Sequence, residues 1–499
     1  MDNTGGKLQN LFMILDAVKD LKAEEATGKE VLYAYPAGET QQSKAGLFLG
    51  MRDIVWDFAA QAIRTVCFQS PEGQAVRVSY VIMRGCLLIL MLPNIESDYL
   101  VEHVLDELFG FITFAFGDIE IVLRDAGDKP PALVTSVRHS LNRAVAKIFR
   151  EISSENRLHL FFSTFVRGVP YRQTSQSVHE KLGLWMSSLE VSGRSDAELY
   201  MDDSRVCLPS GSVLFYQGVV VHSHLDLIDT KEVYRYCLYN DLIPIFSRPN
   251  QFEISRADGA ANVSLSVYDV YSRGYVEVAE NDHSMSIHQN KKYLAIVRSG
   301  SLVLCLLMKE WTPPDGQLDP WYTEALYDTI VKMSSDNEVV RSLEKMGSST
   351  SISLLEEMPP ESLPEESKRD KHPTPSSHSG IMHYFYYHEN QGTMIVPMLH
   401  TGPDLAPLKA CFYQTCLTMR NFLKNLLRLK LPGLRRDKEK NFAEYGVKLA
   451  LEESFNSTTS YWVIGRMSEE WEFYVCHVDG VPINVVELAF KFRAGTFAR

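Results

Sequence analysis

The sequence predicts an α/β protein of the α+β kind, three similar units that each pack helices on a mixed or antiparallel sheet. Three observations point there. A hairpin of two short apolar strands followed by a long amphipathic helix recurs three times. Turn residues sit at the hairpin tips, as at Gln217-Gly218 and Asn390-Gln391-Gly392. The chain has 499 residues, enough for about three domains at ~150 residues each. Such layered units offer surfaces and edges, and their order implies no catalytic pocket, which favours a binding or assembly protein over an enzyme.

The first unit spans about 8–155. Its strands are Leu11–Asp16 and Val31–Tyr35, and its helix is Leu47–Val66. Leu47, Met51, Ile54, Val55, Phe58, Ala62, Ile63 and Val66 recur at helical spacing, opposite Arg52, Asp53, Asp57 and Arg64. Ala75–Met83 and Cys86–Leu92 form a second hairpin around Arg84-Gly85. Ser97 is an N-cap and Asp98 suits the positive end of the helix that follows. That helix carries Leu100, Val101, Val104, Leu105, Leu108 and Phe109, and a last helix runs over Ala132–Arg150.

The second unit spans about 158–346. A helix near Ser177–Leu189 leads to strands Ser212–Tyr216 and Val219–Ser223 and to a helix over Asp229–Asn240. Strands near Val263–Tyr271, Tyr293–Val297 and Leu302–Met308 follow, the last pair turning at Ser299-Gly300-Ser301. Pro320–Lys345 reads as one closing helix. Residues 347–379 are rich in Ser and Pro, with almost no large apolar side chain after Leu355, and read as a disordered linker. The third unit, 380–499, has strands Ile381–His388 and Thr393–Pro397, a helix over Asp404–Lys430, a β-pair at Tyr461–Gly465 and Glu472–His477, and a further apolar segment, Val485–Phe492.

Composition narrows the function. The net charge of −13 disfavours nucleic acid as a partner. The eight cysteines are scattered without a CxxC pair and read as buried thiols of a reducing compartment. The apolar run Leu11–Leu15 is too short for a secretory core, and Cys86–Pro93 is far below the ~20 residues of a membrane helix, so a cytoplasmic chain is expected. The chain carries no glycine-rich phosphate loop, dinucleotide fingerprint, nucleophile elbow or HExxH pair, and no cofactor is expected. His222 and His224, two apart on a strand, share a sheet face, a spacing that suits either a metal or a polar hairpin end. No third ligand lies at an obvious spacing, so the polar reading is preferred. Glu198, Asp202 and Asp203 read as a solvated acidic loop. Lys424, Arg428, Lys430, Arg435, Arg436, Lys438 and Lys440 form the one dense basic segment. It reads as a solvated helix end or as a contact for an anionic, phosphoinositide-bearing membrane. The apolar stripe of Leu47–Val66 is wider than one sheet face needs, so Leu47, Met51, Ile54 and Phe58 are candidates for docking a second subunit.

A resemblance sharpens this. VLYAYP after the first strand is similar to the opening of longin-type subunits of Rab guanine-nucleotide exchange factors. GSVLFYQGVVVHSHL and YCLYNDLIPIF resemble the second longin unit of the Inturned family of planar-cell-polarity effectors. MHYFYYHENQGTMIVP, CFYQTCLTMRNF, SYWVIGR and EFYVCHVDG resemble its third. The resemblance covers most of residues 8–499 and rests on the common order of these motifs. It implies three longin-like domains and a regulatory exchange-factor subunit rather than an enzyme. It also implies a Fuzzy-like three-longin partner, a Fritz-like WD-repeat protein and a Rab-family small GTPase as substrate. The implied setting is ciliogenesis and planar cell polarity, at the ciliary base or basal body and the apical cell cortex. Members of that family usually carry a PDZ domain before the first unit, whereas this chain starts almost directly at that unit.

Overall fold

One strand order is used three times. The structure, a computed structural model, describes residues 9–16, 31–38, 45–50, 64–69, 73–83, 86–93, 98–117, 119, 123, 131–153, 168–172, 174–199, 207–243, 263–277, 286–311, 320–348, 381–396, 406–429, 442–453, 457–483, 485–487 and 490. The first sheet holds β1 (Leu11–Asp16), β2 (Val31–Tyr35), β3 (Thr65–Gln69), β4 (Ala75–Met83) and β5 (Cys86–Pro93). A two-residue strand, β6 (Val169–Pro170), follows. The second sheet holds β7 (Cys207–Tyr216), β8 (Val219–Ser223), β9 (Val263–Glu277), β10 (Ser286–Ser299) and β11 (Leu302–Trp311). The third holds β12 (Ile381–His388), β13 (Thr393–Ile395), β14 (Ala443–Glu453), β15 (Ser457–Met467) and β16 (Trp471–Val478). The orders are β2-β1-β5-β4-β3, β8-β7-β11-β10-β9 and, read from the other edge, β14-β15-β16-β12-β13-β6. Within each unit the second strand lies beside the first, then come the fifth, fourth and third. These pairings are antiparallel; β6 alone joins in parallel, against β13.

The helices are α1 (45–50), α2 (Asp98–Phe116), α3 (Pro131–Ser153), α4 (Gln176–Leu199), α5 (Leu227–Tyr239), α6 (Pro320–Ser335), α7 (Asn337–Ser348) and α8 (Ala406–Leu429). Local chemistry sets several ends. Asp226 caps α5 by accepting from the Asp229 N–H. Asp336 accepts from the N–H groups of Glu338 and Val339, which starts α7 and divides the expected Pro320–Lys345 helix in two. Gln217 and Gly218 both adopt positive φ, as a two-residue turn matching strand twist requires.

Other expectations shift. Val66, expected at the end of a helix, lies in β3 opposite Val78: Thr65, Val66 and Phe68 favour strand and complete the sheet's edge. β14 falls between the basic segment and Tyr461, a stretch for which no element is expected. Strands β9 to β11 are longer than expected, and α4 runs on to Leu199. Residues 485–487 and 490 are helical, with Val486 and Phe490 covering the third sheet. Cys67 is exposed and Cys411 half-buried, whereas Cys86, Cys237, Cys305, Cys416 and Cys476 are buried. Ser97, Arg84-Gly85 and 349–379 lie outside the described residues, as do Asp202 and Asp203.

β5 shows why the strands are so apolar. Leu88, Leu90 and Leu92 face one core while Leu87, Ile89 and Met91 face another, so alternate residues on both sides must be hydrophobic. The first of these cores spans two units. α2 lays Val104, Leu108, Phe111 and Ile112 between the first sheet and Val213, Phe215, Leu294 and Val303 of the second. Phe111 packs edge-on against Tyr239 at 5.4 Å, and Phe114 against Tyr236 at 5.8 Å. In this apolar seam Arg235 of α5 forms a fork on Glu107 of α2, at 2.7 and 2.8 Å, and also meets Glu232. Burial alone would lower the guanidinium pKa, but the two carboxylates outweigh it and raise it. Lys147 of α3 reaches the Leu238 carbonyl at 2.6 Å and pairs with Asp241.

Gly110 makes the fork sterically workable. A Cβ there would stand 2.2 Å from Arg235 Nη1. Gly110→Ala should therefore destabilise the chain although Ala is the better helix former by ~1 kcal/mol. Glu107→Gln should cost about 1–3 kcal/mol, because the amide keeps one of the two acceptors of the fork and Glu232 still faces the guanidinium. Guanidinium-chloride unfolding would register both losses. Lys181→Gln, which breaks the exposed pair with Glu338, should leave the midpoint in place.

Candidate functional site

The first candidate surface is the outer side of α1. Ala45, Phe48 and Leu49 bury against Leu11, Met13, Leu15, Leu87 and Ile89 on the face of the first sheet opposite α2. The core formed there holds residues of the first unit alone. Leu47 points the other way and is 57% exposed. Of the four proposed docking residues the structure thus places Leu47 outward, while Met51, Ile54 and Phe58 lie outside the described residues. The second candidate surface is the basic segment. Lys424 is half-exposed on α8 and Arg428 belongs to the same helix. Lys430, Arg435, Arg436, Lys438 and Lys440 lie outside the described residues.

The third cluster joins residues far apart in the chain. His222 of β8 and His224 just after it come together with His179 and Glu190 of α4 and Ser212 of β7. His222 Nδ1 lies 3.2 Å from His179 Nδ1, and His222 Nε2 lies 3.0 Å from His224 Nε2. His224 Nδ1 meets Glu190 at 3.1 Å, and the Ser212 hydroxyl donates to the same carboxylate at 2.6 Å. One assignment of protons satisfies every link: His179 donates to His222, His222 to His224, and His224 to Glu190. Sequence reasoning found His222 and His224, though β8 ends at Ser223 and only His222 lies on the strand, and it missed the two helical partners. Residues 179 and 190 are eleven apart, about three helical turns, so they share a face of α4. The nitrogens pair off in line rather than converge, and among the described residues no group of three or more His, Cys, Asp or Glu is arranged to hold a metal ion. The chain of imidazoles instead ties α4 to the second sheet.

Burial, with His179 and His224 alongside, pushes the His222 pKa down to about 4. Burial would raise Glu190, but hydrogen bonds from His224 and Ser212 outweigh it and hold the carboxyl below its usual range. Unfolding returns His222 to an ordinary value near ~6.5, so the unfolded chain binds the proton first as pH falls. The stability His222 contributes is thus complete above ~6.5 and is lost progressively toward pH 4. His222→Asn should flatten that part of the denaturation-midpoint profile between those pH values, read by chemical unfolding across a pH series.

Comparison with known proteins places these features in a family. Residues 9–117 match the profile "First Longin domain of INTU, CCZ1 and HPS4", residues 210–330 "Intu longin-like domain 2", and residues 380–492 "Intu longin-like domain 3". The chain is similar to Protein inturned of Mus musculus, 23% identical over 258 residues, covering 48% of this chain and 26% of that one. It is similar to Protein inturned of Rattus norvegicus, 22% identical over 322 residues, covering 60% and 32%, and of Xenopus laevis, 31% identical over 137 residues, covering 23% and 14%. The match thus spans under a third of the length of each of these relatives. With three longin matches in order along one chain, each falling on a sheet of the same strand order, the chain belongs to the Inturned family of three-longin proteins.

Proposed function

We propose that the chain is one half of a heterodimeric three-longin exchange factor for a Rab-family GTPase. A Fuzzy-like subunit is the other half and a Fritz-like WD-repeat protein joins them. The setting is ciliogenesis and planar cell polarity, in the cytoplasm at the ciliary base and apical cortex. The observation that carries this reading is the first unit's outer face. α2 ties the first unit to the second through one sheet face, and α1 with exposed Leu47 is left on the opposite face. A platform shared with a second subunit would use that face, which no other described element covers. Exchange needs no acid, base or nucleophile. It needs surfaces that hold the nucleotide-free GTPase more tightly than the loaded one, so that switch residues and Mg²⁺ are displaced.

Release of a fluorescent guanine nucleotide from a panel of Rab proteins tests this. The chain with its Fuzzy-like partner should accelerate release from one member by tenfold or more, ~1.4 kcal/mol off the barrier. Leu47→Asp and Met51→Asp should abolish co-purification with that partner while circular dichroism stays unchanged. Binding of a Rab without faster release would make the complex a scaffold or effector at the ciliary base.

The basic segment is assigned to the membrane on which such a GTPase sits. A net charge of −13 is repelled by anionic leaflets, so a local patch or a partner must do the docking. Seven basic residues offset by Asp437 and Glu439 leave about +5, or at most ~5 kcal/mol of attraction, screened beyond a Debye length of about 8 Å. Reversing Arg435, Arg436 and Lys438 to Glu should abolish sedimentation with phosphoinositide liposomes. The wild-type interaction should fall steeply with added salt.

A further inference from the structure

We propose that two copies of this chain pair through the outer edge of β14, antiparallel about a two-fold axis at Val447. Among the described residues the other outer strands are short or lie against a neighbouring element. β2 and β3 have five residues each, β9 packs against α2, and residues 168–172 bond to both β8 and β13. β14 runs eleven residues, and among the described residues nothing pairs with its outer side. Such an edge is a template for another strand.

The edge also carries exposed aromatic surface. Tyr445 of β14 and Phe422 of α8 pack with centroids 4.5 Å apart and ring planes tilted by 47°, and both are more than 40% exposed. Val447, Leu449 and Leu451 continue the apolar row on the same face. Edge charges ordinarily repel a second strand. Here Glu444 and Lys448 each have a partner within the unit: Glu444 pairs with Arg466, which also holds Glu487, and Lys448 pairs with Asp479, its ammonium 5.9 Å from the Trp462 ring centre.

The sequence of β14 is complementary to itself. Full overlap would centre on Lys448, placing Lys448 opposite Lys448 and Glu444 opposite Glu452. Centring on Leu449 would oppose Tyr445 to Glu453. Centring on Val447 opposes Tyr445 to Leu449 and Ala443 to Leu451, and sets each charge against Gly446 or Ala450. Apolar residues then meet on the α8 face, and no like charges meet. That self-complementarity selects a second copy as the occupant. The product is one continuous sheet through both copies, with the Phe422 and Tyr445 rings lining the seam.

Sedimentation velocity of the full chain across a concentration series tests this. The wild type should pass from monomer to dimer. Tyr445→Lys should weaken the dimer about tenfold or more, since the symmetry removes two Tyr–Leu pairs at once. Val447→Cys should cross-link to itself under mild oxidation, because directly opposed strand residues lie within disulfide reach. Ala450→Cys should not, being opposed to Glu444. A wild type that stays monomeric throughout, a Tyr445→Lys dimer as tight as wild type, or no covalent Val447→Cys dimer would each overturn the proposal.

Discussion

The architecture depends on α2 having two apolar sides. A helix on one sheet needs a single stripe, but Val104, Leu108, Phe111 and Ile112 belong to a core shared by both units, and Phe111 and Phe114 meet Tyr236 and Tyr239 of α5. Each such residue is worth ~1.5–3 kcal/mol when buried, so neither sheet can leave α2 without exposing a large apolar surface. The first two units thus form one body with a common core. The fork between Arg235 and Glu107 sits in that core with its geometry set by Gly110. A buried pair adds little net stability compared with an apolar isostere.

The third sheet is held differently. Residues 168–172 donate from Val169 and Tyr171 to the carbonyls of Gly392 and Met394, and from Arg172 to that of Val220, each at 3.0 Å. One short extended segment thereby covers edges of two sheets. Backbone groups make much of this join, beside side-chain contacts in which Leu100 of α2 packs against the third core and Leu227 of α5 stands over Gly392. The interior of the third unit holds its own polar network, in which the Arg420 Nε–H is shared between both Glu472 oxygens and Tyr474 donates to the same carboxylate.

Much of this was readable in the residues. Hairpin tips with Gly at positive φ, and strands with alternating or continuous apolar runs, announce β1, β2, β5, β7, β8, β12 and β16. The elements that escaped are edge strands. β3 buries only part of its surface, so its alternation is faint. β14 reads Ala-Glu-Tyr-Gly-Val-Lys-Leu-Ala-Leu-Glu-Glu, rich in helix formers, and pairing with β15 overrides that preference. The break at Asp336 escaped because a capping aspartate within a helical pattern looks like an ordinary polar position. His179 and Glu190 could have been found by their eleven-residue spacing. What no spacing could show is that α4 would lie against β8, because that contact is a property of the assembled fold.

The β6 segment has a consequence for the order in which the protein is made. Val169 leaves the ribosome roughly 220 residues before its partner Thr393. At about 5–20 residues per second, that strand waits on the order of ten to forty seconds for the sheet it completes. Through that interval the N–H groups of Val169 and Tyr171 face solvent or whatever binds nascent chains, while Arg172 can already donate to Val220 of β8, so the segment is shared between an early partner and a late one.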